Sequence, residues 1–510
     1  MRIEVALFLS FISIRLFFAA CQRTYFVPDE HWQAPEIAHR IVFSTGETTW
    51  EWLPEVAIRG YLHPMIFAFV FKLLSIFSVD SDFMIAYSPR FSQAVIAALG
   101  DLGFYLLAKY LFGRKCAIIS TALQLTNWFS LFSLSRPTSN ASASSLLLTS
   151  LWLLRSGHIM TASFTAGLAV CIRPTTVLFL IPSIAIGWLE SSLGVLVHKG
   201  SALTAMIPFV SVLTLSGILD CLFYGRLTLT AVNFFNFNIS KGVAKEYGVS
   251  SLYWFVLNAI PHCFLFCFPL VMKGWHLLPK YLKWPVVFEV FILSLSAHKE
   301  LRFLQCSLCI LALSAGKALC DLTDISSVNH GDSFRAIRKW LFILSIPHAV
   351  LGVYMSRWHQ AAPEIVMQHL RDGIKGSTCS KHSVLFLTPC HATPFHSYVH
   401  SASVNGTGLK FLDCKPSIFR PDGSRSEREK FFMNPGSWAI SNIELIKESN
   451  WVVIASPAEK DEFFIEVLKK EGFLFDNITE IFDSFIGEAP DGSGVIWSPK
   501  MFVISKKCSE

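Results

Sequence analysis

With 510 residues, 52% of them hydrophobic and 16% charged, and a mean hydropathy of +0.47, the chain is too apolar for an ordinary soluble protein, in which about 25% of residues carry charge. Its 45 phenylalanines fit a chain that threads a bilayer many times, each span taking about 20 residues. The net charge of +6 is small and dispersed, and no Lys/Arg-rich run occurs, which excludes a nucleic-acid partner.

Residues 3–20 form the first apolar segment, behind Arg2 and interrupted by Arg15. They resemble a signal sequence, yet many later spans hold the chain in the membrane, so an uncleaved signal anchor is expected. Residues 21–62 carry six acidic and three basic side chains, which places this first loop on the extracytoplasmic side. Within it, FVPDEHWQAPEIAHRIVFSTGETTWEW sets Asp29 and Glu30 among Trp32, Trp50 and Trp52. Ionisable groups at a membrane edge mark function, and a carboxylate there can act as general base toward a hydroxyl. A solvated acidic loop, anchored by tryptophans at headgroup level, is the plainer alternative.

Further apolar blocks follow near 63–78, 86–111, 115–134, 141–156, 160–190, 203–224, 251–272, 285–297, 301–320 and 338–356, the fifth split at Arg173-Pro174. They predict roughly ten to twelve membrane helices, several short or proline-broken. Arg59, His63, Arg90, Asp101, Arg136, Asn140 and Arg173 sit at or inside these blocks, where they can line an acceptor or lipid-phosphate cavity or simply mark topology. HKELRF, His298 to Phe303, places four ionisable groups between two apolar runs. At helical spacing Lys299 and Arg302 share a face, with His298 one turn away. A guanidinium with an ammonium makes a phosphate clamp, and Glu300 can orient one of the cations.

After Trp358 polar stretches alternate with short apolar runs, SVLFLTPC and WVVIAS, the second followed by the helix-like PAEKDEFFIEVLKKEGFLF. The expected organisation is a membrane-embedded domain over 1–358 and a soluble α/β domain over 359–510. Cys379, Cys390, Cys414 and Cys508 in this tail can form disulfides in an oxidising lumen. CHATPFHSYVH brings His391, His396 and His400; the last two, at i and i+4, can bind zinc on a helix, but Pro394 and the β-branched flank argue for loop or strand. Asn140, Asn238, Asn405 and Asn477 head N-x-[ST] sequons.

TYFVPDEHWQAPEIAHRIVFSTGETTWEW, HKELRF, TPCHATPFHSYVH and MNPGSW, in this order and at both ends of the chain, closely resemble glycosyltransferase family 22. These are membrane enzymes of the GT-C fold, and the likeness is to the members that assemble the glycosylphosphatidylinositol (GPI) anchor. The resemblance implies a multi-pass enzyme of the endoplasmic reticulum with a lumenal catalytic loop. It would move mannose from dolichyl-phosphate mannose, with inversion, in α-1,2 linkage to the second mannose of a GPI precursor. Asp29 would be the base and Glu30 its orienting partner or alternate. His298, Lys299 and Arg302, with Glu300, would hold the donor phosphate, and Arg59, His63 and Arg136 would complete the substrate site. No metal or other cofactor is expected; membrane lipids and the two lipid-linked substrates are the expected partners. His31 departs from the family, which usually has an aromatic after this PDE. The alternatives are a sister enzyme, adding the fourth GPI mannose or acting on the N-glycan lipid precursor, and a lipid transporter. One long acidic loop and a single soluble tail lack the internal symmetry of a transporter.

Overall fold

The computed structural model describes residues 2–190, 199–240, 242–325, 330–377, 379, 382–420, 424–488 and 495–506. The chain forms two compact units: Met1–Ala20, Ala57–His63 and Arg90–Val353 make the first, and Cys21–Val56, Pro64–Pro89 and Tyr354–Glu510 the second. The expected boundary near residue 358 lies close to the start of that last segment. A contiguous 1–358 domain is not what forms, because most of the first loop and the segment after it pack with the tail.

Among the described residues six helices are long and apolar enough to cross a membrane: Ile3–Cys21, Asp82–Thr126, Thr204–Tyr224, Phe255–Leu277, Leu301–Asp324 and Arg335–Gly376. The sequence-based count of roughly ten to twelve is higher because it includes blocks that fold as short helices, such as Ile159–Ile172, Val177–Leu189 and Lys280–Ser294, of 14, 13 and 15 residues. The 45-residue run Asp82–Thr126 would reach about 68 Å at 1.5 Å per residue, over twice a bilayer's apolar core of about 30 Å. It is broken at Gly113, whose φ of 82° suits a residue without Cβ.

Arg15, in the middle of the first helix, is fully buried. Its guanidinium grips Asp101 in a fork, Nε to Oδ2 at 2.7 Å and Nη2 to Oδ1 at 2.8 Å, and Nη1 donates to the Ser130 carbonyl oxygen at 2.9 Å. Asp101 is therefore an anchor for the first helix rather than a cavity residue. Glycine permits a close crossing nearby, since a Cβ on Gly100 would lie 2.7 Å from the Cα of Ser145.

The second unit is built on a sheet. Its strands are β1 (Ser383–Leu387), β2 (Gly408–Phe411), β3 (Trp451–Ala455), β4 (Thr479–Phe482) and, after the hairpin of β5 (Ile486–Glu488) and β6 (Val495–Trp497), β7 (Lys500–Ser505). The five-stranded order is β2-β1-β3-β7-β4, with β1 parallel to β2 and β3, and β7 antiparallel to β3 and β4. The unbroken apolar runs follow from burial on both faces. Val384 and Phe386 meet Val366, Met367 and Leu370 of helix Ala362–Gly376. Leu385 and Leu387 belong to the opposite core with Phe431, Phe464 and Leu468. The expected helix of the tail forms over Glu462–Lys470, capped by Asp461, whose carboxylate accepts from the Phe464 amide. Cys390 is disulfide-bonded to Cys414; Cys379 is also disulfide-bonded, and Cys508 lies outside the described residues.

Candidate active site

In the first loop Pro28 caps a single helical turn, Asp29–Trp32, with His31 and Trp32 amides bonded to its carbonyl oxygen. The turn sends the adjacent carboxylates different ways. Asp29 keeps partial exposure, whereas Glu30 is 0% exposed and its Oε2 accepts from the Phe26 amide at 3.2 Å. His31 is buried, stacked on Tyr25 at 5.4 Å and edge-on to Tyr398 at 5.3 Å. A flat ring thus stands between two others at this position. Glu30, His31 and Glu364 bring one ligand-type atom each to within 4.8 Å of one another, the group among the described residues that could hold a metal ion.

The tryptophans are not an interfacial belt. Trp32, Trp50 and Trp52 are only 2%, 9% and 4% exposed, buried in protein. The Trp32 indole N–H donates to the Thr393 carbonyl oxygen at 2.9 Å, and its ring lies 4.7 Å from His391 and 5.0 Å from Phe395.

One turn on, helix Pro35–Phe43 buries Glu36, whose Oε1 accepts from the Ser397 hydroxyl at 2.6 Å and the Phe395 amide at 2.9 Å. Burial raises its pKa to about 7, against the pull of these donors. His39 Nε2 faces His400 Nδ1 at 2.9 Å. His396 instead bonds the Ser403 hydroxyl at 2.6 Å, so His396 and His400 do not form the zinc pair their spacing allowed. His391 stands on a left-handed backbone, φ 55°. Burial lowers its pKa to about 4, and the Asp29 carboxylate works the other way.

HKELRF lies in the first unit. Residues 298–300 are not helical, and Glu300 precedes a tight turn, Leu301–Leu304. Glu300 is the hub: it accepts from Arg302 Nε at 2.6 Å and Nη2 at 2.8 Å, and sits 2.9 Å from His298 Nε2. Burial opposes its charge, but Arg302 and His298 outweigh that and hold the carboxyl well below the usual carboxylate range. Lys299 does not share a face with Arg302, because Nζ donates to the Ser250 carbonyl oxygen at 3.1 Å. Arg302 and Arg173 flank Phe303, 5.4 Å and 5.2 Å from its centroid. Asn140 links them, donating to the Arg302 carbonyl oxygen at 2.8 Å and accepting from Arg173 at 3.1 Å.

Asn140, Ser144, Arg173, Glu289, Arg302 and Phe303 line one small cleft. Arg59, Ser139, Arg173 and Phe234 line a second. Arg173 is therefore common to both, a role its position in an apolar block could not distinguish from topology. Arg136 is buried, with Nε on the Phe132 carbonyl oxygen at 2.9 Å and its guanidinium over the Phe132 ring at 4.4 Å. His63 bonds the Ser142 hydroxyl at 3.1 Å. Of the sequons, Asn140 is buried and doubly bonded, so it presents no amide for a glycan. Asn238 is half-buried and donates to the Phe234 carbonyl oxygen at 2.9 Å. Asn405 is exposed at the end of helix His400–Val404, and Asn477 closes the turn Phe475–Asn477.

Comparison with known proteins adds family and fold. The model of the Alg9-like mannosyltransferase family matches residues 6–400. The chain is 33% identical to mannosyltransferase APTG1 of Arabidopsis thaliana, over 85% of this chain and 81% of that one. It is 30% identical to GPI alpha-1,2-mannosyltransferase 3 of Bos taurus, covering 85% and 78%, and 26% identical to GPI mannosyltransferase 3 of Schizosaccharomyces pombe, covering 96% and 98%. Among solved structures it matches ArnT of Cupriavidus metallidurans bound to undecaprenyl phosphate, with a TM-score of 0.57 at 11% identity over 98% and 97% of the two chains. The Archaeoglobus fulgidus oligosaccharyltransferase matches at 0.53 and 13%, over 96% and 74%. At these identities the likeness concerns fold, and the fold is GT-C, as the sequence resemblance implied.

Proposed function

The chain belongs to the Alg9-like mannosyltransferase family, and we propose that it adds mannose from dolichyl-phosphate mannose, in α-1,2 linkage, to the second mannose of a GPI precursor. The reaction would take place in the endoplasmic reticulum membrane, with the catalytic loop in the lumen. The cattle and fission-yeast relatives, both GPI mannosyltransferases numbered three, support the acceptor.

The observation that carries the mechanism is the unequal exposure of Asp29 and Glu30. An α product from a β-linked lipid phosphate requires inversion in one displacement. One base takes the proton of the acceptor 2-hydroxyl while the phosphate departs. Asp29, partly exposed, serves as that base; Glu30, buried, supports the turn that aims it. The charge growing on the phosphate needs fixed cations. Arg302, aimed by Glu300 and His298, and the cleft residues Arg59 and Arg173 suit this better than Lys299 and Arg136, which donate to backbone carbonyl oxygens. A lipid monophosphate leaves without the metal that a nucleotide diphosphate takes, so a chelator should leave the rate unchanged.

The test is complementation of cells lacking the third GPI mannosyltransferase. Wild type should restore surface GPI-anchored protein, and Asp29→Asn, expressed at equal level, should not. A correctly localised wild type that restores nothing, and leaves the two-mannose intermediate in place, would sink the reading.

A further inference from the structure

The geometry around His391 points to a role in holding the acceptor. We propose that His391 is an acceptor-binding residue, whose two ring nitrogens hydrogen-bond hydroxyls of the sugar that Asp29 deprotonates. This rests on the mannosyltransferase reading above and extends it to a residue on the tail.

Two ties fix the backbone of His391. The Tyr25 hydroxyl donates to its carbonyl oxygen, and neighbouring Cys390 is disulfide-bonded to Cys414. The residue also keeps a φ of 55°, a conformation that a non-glycine residue holds only when its surroundings impose it. The ring is fixed as well, 4.7 Å from Trp32 and 5.1 Å from Phe411. Yet Nδ1 and Nε2 are both shielded from solvent and have no hydrogen-bond partner among the described residues. A buried polar group in that state calls for a ligand or an ordered water. Here every part of the residue is held except the atoms able to bind one.

Burial keeps the ring neutral at neutral pH, with one nitrogen a donor and the other an acceptor. A sugar hydroxyl donates and accepts, so a neighbouring pair of hydroxyls can satisfy both. His391 packs on Trp32, which ends the single helical turn that Asp29 begins, so a sugar held by the ring lies beside the element that carries the base. Because the nitrogens are shielded, the acceptor must open their cover on entering. It then bonds in a dry site, where a missing hydroxyl is strongly discriminated against.

The experiment compares wild type, His391→Phe and His391→Asn as purified full-length proteins in lipid nanodiscs. A synthetic two-mannose GPI acceptor and a short-chain dolichyl-phosphate mannose supply the kinetics. His391→Phe should raise the acceptor KM about tenfold or more, with the donor KM unchanged and His391→Asn between the two. Its thermal midpoint should not fall, because phenylalanine leaves no unmet polar atoms; a purely structural histidine would lower it. Methyl α-mannoside binding, followed by saturation-transfer NMR, should weaken in parallel. An acceptor KM for His391→Phe within twofold of wild type overturns the proposal. So does a rise in both KM values together with a lower midpoint, or an ordered water alone on the nitrogens in an acceptor complex. If wild type binds the mannoside through His391 but does not extend the GPI acceptor, the assignment of that acceptor falls, while the sugar-binding role of His391 stands.

Discussion

Asp29 and Glu30 differ by one methylene and one step along the chain, and the turn beginning at Pro28 makes them chemically distinct. Asp29→Asn keeps size and one acceptor oxygen but removes the base, so kcat should fall by about 10²–10⁴ with the fold intact. Glu30→Gln should lower the thermal midpoint more than it lowers kcat, because Glu30 is buried and bonded to the Phe26 amide. Kinetics and thermal denaturation of the two variants together decide the assignment; equal kcat losses would count against it. The sequence narrows the base to these two residues and no further, since burial is a property of the turn. Arg15 and Asp101 give the converse case, in which two charges noted separately in apolar segments turn out to be one buried pair. Asp101→Ala strands the guanidinium and should cost about 3–5 kcal/mol, whereas Arg15→Leu with Asp101→Leu should recover most of it. Midpoints in detergent read both values.

Between elements, the consequential join is that of helix Pro35–Phe43 with the tail segment carrying Phe395 and Ser397. No pattern in the sequence announces it, because the Glu36 carboxylate and the Phe395 amide are 359 positions apart. Strands β1 and β3 were legible for the opposite reason: burial on both faces writes a continuous apolar run into each. The tryptophans of the first loop were misread because composition does not separate burial in protein from residence among headgroups. Glu36 also gives the join a pH dependence. Its pKa in the fold is about 7, against an ordinary 4.5, so the fold favours the protonated carboxyl. The stability from that preference is full below about pH 4.5, declines as pH rises, and is gone above about pH 7, a loss of about 3 kcal/mol. Glu36→Gln keeps the acceptor oxygen and cannot ionise, so its midpoint should fall less than that of wild type between pH 5 and pH 8. Parallel melting curves would show that Glu36 does not titrate in this range.

For the whole molecule, the two-unit fold bears on which side of the membrane the tail faces. Most of the first loop, with its acidic excess, belongs to the same compact unit as the tail, so both should face one compartment. A disulfide between Cys390 and Cys414 fits an oxidising one. The sequons then become a topological ruler, read through burial. Asn405 is exposed on that unit, whereas Asn140 is buried in the other and bonded to Arg302 and Arg173. In cells of a eukaryotic host, endoglycosidase H should shorten the apparent mass, and Asn405→Gln should abolish one step of that shift. Asn140→Gln should abolish none, though it should impair transfer by freeing Arg173. A chain insensitive to the glycosidase at both Asn405 and Asn477 would put the tail, and Asp29 with it, on the cytoplasmic side, where a lumenal sugar donor could not reach the base.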